Sequence, residues 1–239
     1  MEKNDSLKKE ALCIIPSRGG SKGIPRKNIK LLAGKPLIYY AINAAKKSKM
    51  TNRVVVSTED EEIADVALKY GAEVPFLRPK KLAEDNIHSV FAVIDMINKL
   101  KKNYDYNPDA VVMLLPTAPL TSSDHIDDSL KLFFEKDKGS VISVSPFELP
   151  ISAIRKKKGE KIEPIFNVSN FNVQRQDSEN LMVNAAIYVA KPERIIKDKT
   201  FHGDVVYPYI MPKEVSVDIN DEFDFRFVSY LMLNRENSK

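Results

Sequence analysis

Short unbroken apolar runs alternate along the chain with longer stretches in which apolar positions recur every three or four residues. The runs at 11–15, 54–56, 110–115 and 141–144 lack the in-out alternation of a half-exposed strand, so they predict strands covered on both faces. Between them, Leu37, Ile38, Ala41, Ile42 and Ala45 share one helical face, and so do Ile63, Val66, Ala67 and Tyr70. The same spacing returns in Val90, Val93, Ile94, Ile97 and Leu100, then in Ile126, Leu130, Phe133 and Phe134. Local punctuation agrees with these stripes. Pro36 suits a first helical turn, residues 57–60 (Ser-Thr-Glu-Asp) supply a strand-end turn and N-cap, Gly71 fits the position after a C-cap, and Ser122 and Ser123 are available to cap the fourth helix. A shorter strand is predicted at 73–76.

Strands and helices that alternate at this spacing define an α/β fold with a mostly parallel, Rossmann-like sheet flanked by helices. The pattern changes between about 146 and 177. There, 151–155 and 162–166 predict a hairpin whose tip is Lys156-Lys157-Lys158-Gly159-Glu160. Afterwards come a strand at 184–189, a short helix at 192–196, strands at 205–210 and 215–220, and a C-terminal helix carrying Phe223, Phe227, Tyr230 and Leu231. The expected organisation is one domain over 1–239 with an inserted segment at about 146–182. Ligands of such sheets bind beyond the carboxyl ends of the strands, so the loops at 16–28, 57–60, 78–89 and 116–121 are expected to share one cleft.

Composition narrows the classes without choosing among them. The 239 residues suffice for one α/β domain with a sizeable core, and 37 basic against 33 acidic residues leave a charge of +4, too small to demand nucleic acid or an acidic membrane. The basic run at 156–158 lacks interleaved aromatics and reads as a solvated turn rather than a nucleic-acid patch. No apolar run approaches the ~20 residues that span a bilayer, and residues 1–10 carry no apolar export core. The lone cysteine, Cys13, lies in the first apolar run, which excludes an internal disulfide and fits a reducing, cytoplasmic setting.

The informative stretch is the loop after the first strand. It holds Gly19, Gly20 and Gly23, three of eight glycines in the chain, interleaved with Arg18, Lys22, Arg26 and Lys27. Glycines let backbone N–H groups crowd an anion while cations offset its charge, so the loop reads as a polyphosphate cradle. It is neither a P-loop, since no glycine pair precedes Lys-Ser or Lys-Thr at the required spacing, nor a dinucleotide fingerprint, because Pro25 argues for an extended loop instead of a helix. A solvated basic turn is the plainer alternative.

The loop in full, Pro16-Ser17-Arg18-Gly19-Gly20-Ser21-Lys22-Gly23-Ile24-Pro25-Arg26-Lys27-Asn28, resembles the signature of the CMP-sialic acid synthetases, the acylneuraminate cytidylyltransferases. The resemblance continues in order through Ser57-Thr58-Glu59-Asp60-Glu61-Glu62-Ile63-Ala64, Arg78-Pro79, Leu82-Ala83-Glu84-Asp85, Pro116-Thr117-Ala118-Pro119-Leu120, Arg175-Gln176, Asn184 and Tyr188. It implies a nucleotidyltransferase in which the anomeric hydroxyl of a 2-keto sugar acid attacks the α-phosphorus of CTP and pyrophosphate leaves, with Mg²⁺ or another divalent cation as cofactor. By the same resemblance Arg18, Lys22 and Lys27 are the catalytic cations on the triphosphate. Gly19, Gly20, Ser21 and Asn28 complete the phosphate site, and Arg78, Ser89 and the backbone near Ile87 read the cytosine. Leu115, Arg175, Gln176, Asn184 and Tyr188 fall at the sugar, Asp218 and Asn220 at the metal, and the inserted segment at a homodimer contact.

Several of these residues have plainer readings: Arg78 as a surface residue before Pro79, His88 as a loop residue, Asn184 and Tyr188 as sheet residues, Asp224 as a helix N-terminal acid. The chain also departs from the family. Asn220 replaces the second aspartate of an Asp-Ile-Asp metal segment, Leu115 replaces a glutamine that commonly meets the sugar, and Thr121 replaces an arginine. Lost polar contacts alter discrimination among hydroxylated or acylated sugars, which leaves neuraminate, pseudaminate and legionaminate open. The competing expectations are a cytidylyltransferase for a smaller sugar acid or a sugar phosphate, a nucleotide-binding protein without turnover, and a nucleic-acid-binding module.

Overall fold

The computed structural model describes residues 9–136, 138–148, 153–165 and 180–236. In chain order the elements are β1 (Ala11–Pro16), β2 (Leu31–Leu32), β3 (Lys35–Pro36), α1 (Leu37–Lys47), β4 (Arg53–Ser57), α2 (Glu61–Lys69), α3 (Val90–Tyr104), β5 (Ala110–Leu114) and α4 (Ser123–Glu135). Then follow β6 (Ser140–Pro146), β7 (Arg155–Lys158), β8 (Lys161–Pro164), β9 (Leu181–Ala190), α5 (Pro192–Asp198), β10 (Val206–Ile210) and α6 (Glu222–Glu236). Six strands form the central sheet in the order β10-β6-β9-β5-β1-β4. All neighbours run parallel except β9, which is antiparallel to both β5 and β6.

The unalternating apolar runs follow from this arrangement. In β1, Ala11, Cys13 and Ile15 face the layer of α1, α2 and α4, where they meet Ile38, Ile42, Ile63, Ile126 and Leu130. Leu12 and Ile14 face the opposite layer and pack with Val93, Met96 and Leu100 of α3 and Ile195 of α5. Each such aliphatic side chain contributes about 1.5–3 kcal/mol on burial, so a polar residue on either face would be costly. Burial also pushes the Cys13 thiol well above its ordinary range, which makes it an inert core residue. A third cluster seats α6 against the phosphate loop through Ile24, Leu32, Leu37, Ile219, Phe225 and Val228.

Four local expectations change. The strand at 73–76 shrinks to one bridge, in which Glu73 N–H donates to Val54 O and its carbonyl accepts from Val56 N–H; Pro75 has no N–H with which to extend the ladder. Segment 216–220 is not a strand: it crosses the carboxyl end of the sheet as a loop, and Ile219 N–H donates to Thr117 O at 2.8 Å. The hairpin of β7 and β8 exists, but the three lysines lie within β7 and the turn is Gly159-Glu160; residues 151, 152 and 166 fall outside the described residues. Finally, α6 buries Phe225 and Val228 and leaves Phe223, Phe227 and Tyr230 exposed. Of the expected stripe only Leu231 packs inward. Residues 223–232 are apolar on nearly every side, so spacing alone does not select the buried face.

Candidate active site

The carboxyl ends of β1 and β5 open into a cleft of about 460 Å³. Three of the four expected loops line it: Pro16, Arg18, Gly20, Ser21, Lys27 and Asn28 from the first, Arg78 and 85–89 from the second, and Leu115, Pro116 and Thr117 from the third. The loop at 57–60 stands behind them as a support. Its Ser57 carbonyl accepts from Ser17 N–H at 2.9 Å, and one oxygen of Glu59 accepts from Gly19 N–H at 2.7 Å.

Close approach explains two glycines. A Cβ on Gly19 would lie 2.6 Å from Asp60 Oδ2, and one on Gly23 only 2.3 Å from the Asn220 carbonyl oxygen. Gly20 faces open space, so its backbone is accessible from the cleft. Asn28 is buried and donates its amide to the Arg18 carbonyl at 2.9 Å, which makes it a brace of the loop from within.

The loop cations are not equivalent. Arg26 adopts a left-handed backbone and gives its guanidinium to Asp60 and Glu62 at the start of α2, and this pairing holds the Asp60 carboxyl below its ordinary range. It anchors the loop and does not line the cleft. Arg18 and Lys22 both reach Asp85 on the facing loop, at 2.8 and 3.0 Å. Lys27 donates to the Ile219 carbonyl at 2.8 Å, and its pKa is lowered because burial disfavours the charge, an effect that Asp218 opposes.

On the facing loop Arg78 is 5% exposed and pairs with Glu59 at 2.6 Å. Its backbone N–H donates to Thr58 O, and its Nε has no partner among the described residues. Ser89 donates to Met113 Sδ at 3.6 Å beside Ile87 and His88, whose Nδ1 accepts from Val90 N–H.

The remaining expected residues are dispersed. Leu115 lines the cleft. Tyr188 packs beside Phe201 and His202, and burial first, then the Asp218 charge, raises its pKa. Asn184 is 3% exposed and its amide is committed to the fold: Oδ1 accepts from Ser143 and Nδ2 donates to Ser216 at 2.9 Å. That makes it a sheet residue that holds the 216 loop, away from the lining of the cleft. Arg175 and Gln176 lie outside the described residues. Asp218 Oδ1 is buried with no hydrogen-bond partner, and Oδ2 accepts from Asn220 Nδ2 at 3.1 Å. Asp224 accepts from the backbone N–H groups of Asn220 and Asp221, as a helix N-terminal acid does. Among the described residues no group of three or more His, Cys, Asp or Glu side chains is placed to hold a metal.

Reading of the sequence missed Glu59 and Asp85. Both sit in recognisable segments, but as a turn residue and a loop acid they show no pairing until the chain is folded.

A glycine-rich cationic loop at the strand ends, facing a second loop across a cleft of this size, defines a nucleotidyltransferase. The cytidylyltransferase family model matches residues 12–214. The chain is 36% identical over 229 residues to the CMP-N,N'-diacetyllegionaminic acid synthase of Legionella pneumophila, covering 94% of this chain and 97% of that protein. It is 34% identical to a pseudaminic acid cytidylyltransferase of Campylobacter jejuni, covering 95% and 98%. With the N-acylneuraminate cytidylyltransferase of Escherichia coli it shares 32% identity over 98% of this chain, which spans about half (54%) of that protein's length. A CMP:2-keto-3-deoxy-manno-octonic acid synthetase solved in complex with CTP has the same fold, with a TM-score of 0.72 at 12% identity over 95% of this chain and 100% of that one. The chain therefore belongs to the cytidylyltransferases of the CMP-sialic acid synthetase type.

Proposed function

We propose that this protein transfers CMP from CTP to the anomeric hydroxyl of a nonulosonate, a sialic-acid-like 2-keto sugar acid, to supply surface-glycan synthesis. The observation that carries the reading is the convergence of Arg18 and Lys27 with Arg78 and Ser89 on one cleft at the strand ends, with Lys22 paired to the cleft residue Asp85. The sugar oxygen forms a bond to the α-phosphorus, the bond to the bridging oxygen of the β-phosphate breaks, and pyrophosphate leaves with that electron pair. The hydroxyl proton passes to solvent.

In-line displacement of this kind asks the protein for alignment and for compensation of charge on the phosphate oxygens. Arg18, Lys22 and Lys27 supply the charge, and the backbone at Gly20 and Ser21 supplies donors. Loss of one such cation is expected to cost about 2–4 kcal/mol of transition-state stabilisation. Arg78, Ser89 and the backbone at Ile87 read the base. Leu115 and Tyr188 lie on the sugar side, where Arg175 and Gln176 are proposed to meet the acid's carboxylate and hydroxyls.

Asp218 fits a divalent cation of the Mg²⁺ type, since its Oδ1 is a buried acceptor without a protein donor. A single carboxylate is a sufficient protein contribution where substrate phosphates provide further oxygens. The bound ion would neutralise phosphate charge, and Asn220 orients Asp218 through its amide. We further infer that 1–239 acts as one domain, that it works in the cytoplasm and that the 146–182 segment joins two copies into a homodimer. No helix among the described residues is long and apolar enough to cross a membrane.

The test is pyrophosphate release from CTP with Mg²⁺ and a panel of legionaminate, pseudaminate and neuraminate derivatives together with sugar phosphates, with ATP, GTP and UTP as controls and products identified by mass. CTP-dependent turnover that yields a CMP-linked acid supports the reading. Turnover only with a sugar phosphate, giving a diphosphate-linked product, overturns it.

A further inference from the structure

From the way one carboxylate joins the two loops that face each other across the cleft, we propose that Glu59 is a positioning residue for base selection, acting through Arg78. This rests on the cytidylyltransferase reading above. One oxygen of Glu59 accepts from Gly19 N–H in the phosphate loop at 2.7 Å, and the other accepts from Arg78 Nη2 at 2.6 Å. Both partners of the ion pair are nearly removed from water, with side chains 3% exposed for Arg78 and 14% for Glu59. A charged pair so enclosed holds a defined geometry, because any rotamer that breaks it leaves a buried charge unpaired.

The consequence concerns which donors Arg78 has left. A guanidinium has five N–H donors and no acceptor. Glu59 accepts from Nη2, the backbone of Arg78 is fixed by Thr58, and Nε is enclosed and has no partner among the described residues. The side chain lines the cleft, so the donors left for a base are those of the terminal nitrogens. Donors so held suit the acceptors at O2 and N3 of a cytosine. Uracil presents an N3–H donor at that position, which would confront a second donor. Glu59 thus stops the guanidinium from swinging to accommodate either base. Because it also holds Gly19, it fixes the base-reading arginine relative to the phosphate loop.

The experiment compares CTP and UTP as substrates for wild type, Glu59→Gln, Arg78→Ala and the double variant, by kcat/KM for pyrophosphate release at saturating nonulosonate. Glu59→Gln keeps the shape but places an amide where two acceptor oxygens are needed. Its CTP/UTP ratio is expected to fall roughly 10- to 100-fold, as loss of a hydrogen bond to a charged group implies. In the Arg78→Ala background the same change is expected to leave the ratio unaltered, an outcome that general loosening of the fold would not produce. Thermal melting checks that each variant folds; if the Gln protein does not, Glu59→Asp, which keeps the charge but withdraws it, is read in the same way. An unchanged ratio in a folded Glu59 variant, or an equal fall with and without Arg78, overturns the proposal. Wild type that shows no preference for CTP would instead overturn the underlying reaction.

Discussion

Substitution of Gly23 by alanine tests whether the phosphate loop and the 218–221 segment must touch. The added Cβ would stand 2.3 Å from the Asn220 carbonyl oxygen and 3.4 Å from its carbonyl carbon, both backbone atoms with no rotamer to yield. Ordinary contact requires about 1 Å more. The two segments must part by about that much, and the Lys27 hydrogen bond to Ile219 O, now 2.8 Å, lies across the same seam. Overpacking of this kind costs about 1–3 kcal/mol, which for a chain of this length lowers Tm by roughly 2–12 °C. A displacement of 1 Å at reacting groups can reduce turnover about 100-fold. Gly20→Ala is the matched control for stability, since a Cβ there meets nothing within 4 Å. Differential scanning fluorimetry and pyrophosphate release measure the two effects. If Gly23→Ala melts and turns over like wild type, the close seam is not a requirement and the account of this glycine is wrong.

Asp85 occupies Arg18 and Lys22, so a triphosphate must displace it; Asp85→Asn is expected to lower KM for CTP with little change in kcat, measured by steady-state kinetics. Lys27 titrates below the 10.5 of an ordinary lysine because it is desolvated. As pH rises through that lowered value the charge is lost, so kcat/KM for CTP should fall on the alkaline side. Lys27→Arg, which stays protonated, should remove that limb from its pH profile. Asp127 of α4 is buried against the residues that follow α1, and accepts from the Ser48 hydroxyl and from the backbone N–H groups of Lys49 and Met50. Its replacement by alanine should destabilise the protein by about 1.5–3 kcal/mol in urea unfolding while KM for CTP stays unchanged.

The sheet was legible wherever a run was apolar on both faces, as in β1, β4, β5 and β6, because burial from two sides leaves only one kind of sequence. It was least legible where local pattern and tertiary demand diverge. Residues 215–220 have strand-like composition, but Val215 and Ser216 donate within a local turn, and Ile219 donates to Thr117 and accepts from the Lys27 side chain. The face of α6 is ambiguous because Phe223, Phe225, Phe227 and Val228 are all apolar. In the site, the glycine-rich loop announced itself by chemistry, while the division of labour among its cations did not. Arg26 is an anchor and Arg18 a cleft residue only because Asp60 and Asp85 approach them from distant parts of the chain. Asn184 shows the same limit, since nothing in its sequence neighbourhood reveals the Ser143 and Ser216 hydroxyls that occupy it.

The pairing of β6 with β9 ends with Pro146 opposite Leu181, and Phe147 N–H donates to Asn180 O at 2.8 Å, so positions 147 and 180 are held side by side. The endpoints are held by the sheet whatever lies between them. Each doubling of such a stretch costs only about 0.6 kcal/mol in closure entropy. A stretch whose two ends are held side by side tolerates changes in length at that modest cost, so β6 and β9 keep their register, and the cleft at the strand ends its geometry, when the residues between 147 and 180 vary.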